Sequence, residues 1–509
     1  MPTPPAYCLL TRPWIPVLDP ITGDRSKTGI AQALTQAHQL RLDLVGMEKI
    51  AALRLLAAVL DAAAGPRSTT EWDAAYLAPT LPTGRITHYL DTWSEHFDLL
   101  HPEQPFGQCA HLTHPNRTTH VLDPSSWGGM RREHFAHQLD EDAPALAPDK
   151  AALALLVLQL WHPGGIQTPH PSDPRASGGK LFGGRSGPLG LVTHLHVTAP
   201  PLTLKDELLL ALPPQPRAPG DRPAWERPCP LPAGPADAHG RPILERAATG
   251  RLDQLTWPTR RVRLITDDDQ NITALALHDG DRTTDHPATV AHTLDPMNAR
   301  TLTGGPLPLF KRGIPQPWAA ALILDADTSP ALTHVLAAAE RGTLPADLHL
   351  TAQCSDTEHT NVYRAAISRT DLHNCPLGPA ATLATHEGRT HLAAAARLIA
   401  PLQRLLDQHY KDAARLPPRQ PLPDRTTITT SLELPWHAFL ADPRHDLPSW
   451  CDALRTAVLT TAERLRIAGR SAQHTQFLVR LEAAVERHLR SAQQRATLEP
   501  TACTPTVLE

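Results

Sequence analysis

The sequence is poor in lysine, in aromatic residues and in paired cysteines, and each shortage excludes something. Only seven of its 48 basic residues are lysine, and 52 acidic residues bring the net charge to −4. A uniform basic coat is thereby excluded, so any contact with nucleic acid must come from local patches. The excess of arginine fits a GC-rich genome as readily as a preference for bidentate phosphate contacts. Aromatic residues make up 4% of the chain, and the ten Trp outnumber either Phe or Tyr, so each Trp is a candidate anchor. Cys8, Cys109, Cys229, Cys354, Cys375, Cys451 and Cys503 form no CxxC pair. That spacing argues against a disulfide scaffold or a thiolate zinc site, and for idle thiols in a reducing cytosol. No basic stretch followed by an apolar one opens the chain, and the runs 151–161 and 392–400 fall well short of the about 20 residues of a membrane span. Neither a secretory leader nor a membrane contact is expected, and the predicted location is cytoplasmic.

What is present suits a soluble globular chain. Its 509 residues predict two or three packed units, and 41% apolar with 20% charged residues excludes disorder. The 53 prolines, about twice the usual share, predict short elements joined by ordered loops. Extended pieces are expected at 7–10 and 14–18, and helices at 47–64, 83–99 and 148–161. Residues 106–148 lack periodicity and are rich in His, Pro and Gly, as functional loops often are. Strands are expected at 191–198, 261–266, 272–278, 319–325 and 348–354, with a hairpin through Asp279-Gly280-Asp281 and a helix at 330–341. Beyond residue 377 nearly everything reads as helix: 379–413 bent at Pro401, then 431–441, 449–468 and 471–495. The fold class is therefore α+β: a large mixed α/β N-terminal domain, 1–376, followed by an all-α four-helix bundle, 377–509.

Catalytic signatures are scarce. HExxH, GxSxG and GxxxxGK[ST] do not occur, so no enzyme activity and no cofactor are expected. His134/His137 and His194/His196 form pairs at ligand-like spacing, but neither has a third partner nearby, and surface or loop histidines are the simpler reading. Asp267-Asp268-Asp269 and Asp325/Asp327 read as a charged turn and a strand-end cap, with divalent-ion binding as the alternative. The segment 164–190, with eight glycines and four prolines, is different. Within it Gly178, Gly179, Gly183, Gly184 and Gly187 interleave with Lys180 and Arg185. Glycine lets main-chain N–H groups approach a phosphate or a groove edge, and the two cations add attraction without base information. A solvated linker is the alternative; Phe182 and the strand that follows argue for order. Two further basic clusters, Arg251/Arg260/Arg261/Arg263 around Trp257 and seven arginines within 461–495, read either as phosphate contacts or as salt-bridged and solvated positions.

Several blocks in order resemble one family. They are Leu9-Leu-Thr-Arg-Pro-Trp14-Ile-Pro-Val17, Met47-Glu48, His101-Pro-Glu-Gln-Pro-Phe106-Gly-Gln108, the glycine segment, Arg222-Pro-Ala-Trp225-Glu226-Arg-Pro228, Leu255-Thr-Trp257-Pro-Thr-Arg260-Arg-Val-Arg263-Leu264 and Asp295-Pro-Met. Together they resemble the CasA family, large subunits of the type I-E CRISPR surveillance complex, Cascade. The resemblance implies a non-catalytic subunit that recognises the protospacer-adjacent motif (PAM) of double-stranded DNA from the minor groove and starts unwinding. Its implied partners are crRNA, the other Cascade subunits and a helicase–nuclease. It places the glycine loop at Gly178, Gly179, Lys180, Gly183, Gly184, Arg185 and Gly187. A loop meeting the crRNA 5′ end would hold Arg131, Arg132, His134, Phe135 and His137. The family's wedge commonly carries glutamine at a hairpin tip, where this chain has Thr357, Glu358 and His359, with Asn361 just beyond. Because an acidic tip repels phosphate, either His359 or Asn361 would enter the duplex. The family's lysine finger has no lysine here, and Arg282 is the candidate to replace it. The competing functions are a metal-dependent hydrolase built on the His-rich region 101–137 and a scaffold that never touches DNA.

Overall fold

The computed structural model describes residues 7–128, 143–169, 177–190, 192–199, 201–227, 245–286, 289–300, 316–324, 329–358, 369–417, 425–442, 446–465 and 471–498. The strongest apolar pattern becomes the helix Gly46–Ala64, in which every residue from Ile50 to Asp61 is buried. A helix without a polar face has to sit inside a domain. It packs on the helices Thr83–Thr92, Pro148–Trp161, Leu204–Ala211 and Arg251–Leu255. Each fully buried leucine there contributes roughly 1.5–3 kcal/mol. The charges carried inside are paired: Arg54 with Asp295 at 2.9 Å, and Arg251 with Asp61 at 2.8 and 2.6 Å. The Asp295-Pro-Met block is thus a structural feature.

The chain divides into two units. The first comprises Met1–Pro308, Asp327–Ala338 and Gln353–Leu372, and is mixed α/β. One three-stranded sheet joins Arg25–Thr28, Ile15–Leu18 and Arg41–Leu42; another joins Arg117–Thr118, Ile272–Asp279 and Arg260–Thr266. A four-stranded sheet runs Asn298–Ala299, Thr193–Thr198, His349–Glu358, Arg369–Pro379, and its last two strands contribute residues to both units. The second unit comprises Leu309–Ala326, Ala339–Ala352 and His373–Glu509. Its long helices are Ile399–Ala414, Arg425–Ala441, Leu447–Arg464 and Ser471–Leu498. The first and third pack on the fourth, and the third also meets the first and second. Trp436, Phe439 and Trp450 cluster at centroid separations of 5.2–5.6 Å, and Trp450 Nε1 donates to the Ala395 carbonyl at 3.1 Å.

Several expectations change. The run expected as a strand at 319–325 forms a 3-10 turn, Ala319–Ile323, because a short apolar run does not distinguish a strand from a buried turn. Residues 7–10 form no strand, and helical order in 83–99 ends as Thr83–Thr92 plus the 3-10 turn Ser94–Phe97. The expected bend at Pro401 is a break at Leu398, between His386–Arg397 and Ile399–Ala414. Proline has no N–H to return to the preceding turn, so the interruption falls upstream of it. Cys109 is disulfide-bonded, contrary to the expectation of idle thiols, whereas Cys8, Cys354, Cys375 and Cys451 are in no disulfide. Among the described residues no helix is long and apolar enough to cross a membrane.

Candidate nucleic-acid interface

Two stretches of the glycine segment pair as strands. Gly165–Gln167 pairs antiparallel with Leu181–Gly184, with Gly165 opposite Gly184 and Gln167 opposite Leu181. Ahead of the second strand, Ser177 and Lys180 exchange both backbone hydrogen bonds, at 2.9 and 3.0 Å. The two residues between them, Gly178 and Gly179, have φ of +55° and +72°. Positive φ at both central positions is the signature of a type I′ turn, whose twist matches that of paired strands. Nothing lies within 4 Å of a Cβ placed on either residue, so the turn is bare main chain in open space. Ser177, Lys180 and Arg185 are exposed as well.

The remaining glycines do other work. A Cβ on Gly187 would lie 2.2 Å from the Leu160 carbonyl oxygen, and one on Gly184 would lie 2.7 Å from Gln167 Cγ. Both are close-packing positions at the base of the hairpin. Gly183 lies on the strand Leu181–Gly184.

That base is held by arginines the sequence offered as phosphate ligands. Arg260 is buried and donates from Nη2 to the carbonyls of Pro163 at 2.7 Å and Arg185 at 3.0 Å, and from Nε to His162 Nδ1 at 3.0 Å. Arg282 donates from Nη2 to the Phe182 carbonyl at 3.0 Å and from Nε to Asp279 Oδ2 at 3.0 Å. Asp279 also faces Arg260, at 3.6 Å. One buried carboxylate therefore joins two guanidiniums, each bonded to a different carbonyl of the loop. Burial, reinforced by nearby Arg282, lowers the Arg260 pKa to about 10 against the pull of Asp279. Burial first, then Arg260, holds His162 well below the usual imidazole range, so Nδ1 stays an acceptor. Arg282, expected as a projecting finger, is a clamp on the loop in this geometry.

The sequence explains how the clamp forms. The hairpin closes through Asp267–Asn271, where Asp267 Oδ1 accepts from the amides of Asp269 and Asn271, so the acidic triplet is a turn. That register sets Arg260 opposite Asp279. The hairpin expected through Asp279-Gly280-Asp281 does not form: the segment leads to Arg282–Thr283, which pairs in parallel with Glu245–Arg246. Arg261 bonds Asp281, Arg251 bonds Asp61, and Arg263 Nη1 donates to the His101 carbonyl at 3.0 Å. Of the alternatives open for this cluster, the structure selects internal pairing. In the C-terminal cluster Arg464, Arg480, Arg487 and Arg490 are exposed, and Glu486 pairs with Arg490 and Arg455.

The other candidates fall elsewhere. Arg131, Arg132, His134, Phe135 and His137 lie outside the described residues, as do His359, Asn361, Asp325 and Asp327. Thr357 and Glu358 end the strand His349–Glu358. His194 and His196, expected at the surface or in a loop, are fully buried on Thr193–Thr198. Burial lowers the His194 pKa well below its usual value and that of His196 to about 4, so both are neutral core residues. Among the described residues no group of three or more His, Cys, Asp or Glu is placed to hold a metal ion. Sequence reasoning missed Asp279; its signal was the pairing of an Arg-Arg-Val-Arg strand with a strand ending in Asp-Gly-Asp.

Comparison with known proteins fits this architecture. The model of CRISPR-associated protein Cse1 matches residues 9–502. A CRISPR-associated protein CasA/Cse1 of Thermus thermophilus is 33% identical over 273 residues, which span 52% of this chain and half of that relative. The fold resembles the crystal structure of Thermobifida fusca Cse1, with TM-score 0.78 and 23% identity over 96% of this chain and 98% of the other. It also resembles a chain of a CRISPR RNA-guided surveillance complex, with TM-score 0.69 and 17% identity over 96% of this chain and all of that one. The family match covers nearly the whole sequence, and the chain belongs to the CRISPR-associated Cse1 family.

Proposed function

We propose that this chain is the non-catalytic large subunit of a type I-E Cascade, which recognises a PAM in double-stranded DNA and begins to open the duplex. The observation that carries the reading is the Gly178–Gly179 turn: bare main chain just ahead of the clamped strand Leu181–Gly184, flanked by exposed Lys180 and Arg185. The minor groove offers few groups that tell one base pair from another, so a narrow peptide edge that fits its shape suits tolerant recognition. Guide RNA then reads the sequence. In this reading 1–376 forms the DNA-recognition domain and also meets the crRNA 5′ end. Residues 377–509 form a four-helix bundle, and the subunit helps recruit a helicase–nuclease in the cytoplasm. Family membership and the likeness to a surveillance-complex chain support it.

Gly178→Asn tests the reading. Asn-Gly is the preferred type I′ pair, so the turn and the melting temperature are retained, while a side chain is added where a groove would have to fit. The reconstituted complex should bind a PAM duplex at least tenfold more weakly, as read by gel shift. Binding equal to wild type would sink the loop's role and favour a scaffold.

A further inference from the structure

We propose that Phe182, with Ile166 on the adjoining strand, is an apolar wedge that enters the duplex as the glycine turn docks, which rests on the reading of this hairpin as a DNA contact. Gln167 and Leu181 pair across the hairpin and are buried at 8% and 1% exposure. Alternation turns their neighbours Ile166 and Phe182 to the opposite face, where they are 60% and 57% exposed. The other large exposed apolar side chains among the described residues, Ile21, Val45, Leu77, Leu434 and Val479, lie singly, on separate helices or outside any element. Among the described residues, only here do two share one ribbon.

The wedge's backbone is fixed while its ring stays free. The Phe182 carbonyl accepts from Arg282, which Asp279 holds, and the adjacent Leu181 side chain is buried. Exposed Lys180 and Arg185 bracket the ring within three residues, which matches it to a polyanion. Proteins that bind the minor groove insert Phe or Ile between base steps and kink the duplex there. The segment 353–361 carries Glu358, whose charge opposes phosphate, so Phe182 is the better suited of the two to reach the bases.

The experiment uses the assembled complex and a PAM duplex with 2-aminopurine beside the motif, whose fluorescence reports unstacking. Phe182→Ala should slow opening roughly tenfold, as expected for one lost base–aromatic stack, with the melting temperature of this exposed site unchanged. Phe182→Trp should restore opening. Wild-type opening by Phe182→Ala, with Lys180→Ala and Gly178→Asn still weakening binding, overturns the wedge and leaves the PAM reading intact. If none of the three variants alters binding or opening, the reading and the wedge fall together. Loss of Phe182→Ala from the complex, with normal opening per assembled particle, assigns the face to a protein partner and overturns the proposal.

Discussion

Replacing Asp279 by asparagine should loosen the glycine hairpin and separate two effects that most DNA-contact mutations confound. The carboxylate is 2% exposed and lies 3.0 Å from Arg282 Nε and 3.6 Å from Arg260 Nη1. Asparagine keeps the volume and one acceptor but removes the charge that balances both guanidiniums. Breaking a buried pair from one side costs about 3–5 kcal/mol. Arg260 retains His162 Nδ1 and the carbonyls of Thr259, Pro163 and Arg185 as acceptors, which places the cost at the low end. About 3 kcal/mol corresponds to about 150-fold in the folding equilibrium. Urea unfolding of the purified chain measures this, and hydrogen exchange at the Ser177, Lys180 and Gly187 amides shows whether the loop loosens. The substitution also removes one negative charge, so electrostatics alone would raise affinity for any duplex. A fall in PAM-dependent binding by the assembled complex, with non-specific binding steady or higher, therefore isolates lost positioning. An unchanged urea midpoint together with unchanged loop exchange would refute the clamp.

Two further outcomes follow from the same geometry. His162, His194 and His196 are neutral when folded, but unfolded imidazoles protonate below about pH 6.5. Between that value and about 4, where His196 titrates in the folded chain, the unfolded state binds more protons, so stability is full above the window and falls as pH drops through it. For His196 alone the loss at pH 5 is about 2 kcal/mol, and thermal melts at pH 7.5 and pH 5 that coincide would contradict the buried-neutral assignment. DNA affinity should fall linearly on a log–log plot against salt, and Lys180→Ala or Arg185→Ala should each flatten the slope by about 0.9. A slope that neither change alters would show that these cations do not meet phosphate.

The helices Gly46–Ala64, Pro148–Trp161 and Pro330–Glu340 were legible because apolar periodicity and flanking breakers agreed along one stretch of chain. Leu204–Ala211 was equally available: Thr203 and Asp206 form a capping box, which the pattern of apolar residues alone did not reveal. The location of the glycine loop could be read from composition, but its conformation could not. Gly178 and Gly179 serve a turn while Gly184 and Gly187 serve packing, and the difference depends on neighbours such as Leu160 that composition does not supply. The arginines were hardest. A buried guanidinium and an exposed one are identical in sequence, and Arg251 finds its carboxylate 190 positions away. Arg260 was closer to being readable, since closing the hairpin at the acidic triplet fixes Asp279 opposite it.

The division of labour within 164–190 explains how so few charges could serve recognition. Two exposed cations supply only weak attraction, which suits the proposed role of a surface that releases most of the DNA it meets. In that role discrimination has to come from fit, and fit requires that the main chain at the Gly178–Gly179 turn not rearrange when a groove of the wrong width is offered. The Asp279-centred clamp supplies that stiffness from below, by bonding the Phe182 and Arg185 carbonyls on the second arm of the loop. Preorganisation lowers the ordering cost of binding a duplex that fits, and a stiff turn penalises one that does not. In the proposed function, arginines buried beneath the loop therefore govern DNA choice without touching DNA, and their effect should appear as altered discrimination between duplexes more than as altered average affinity.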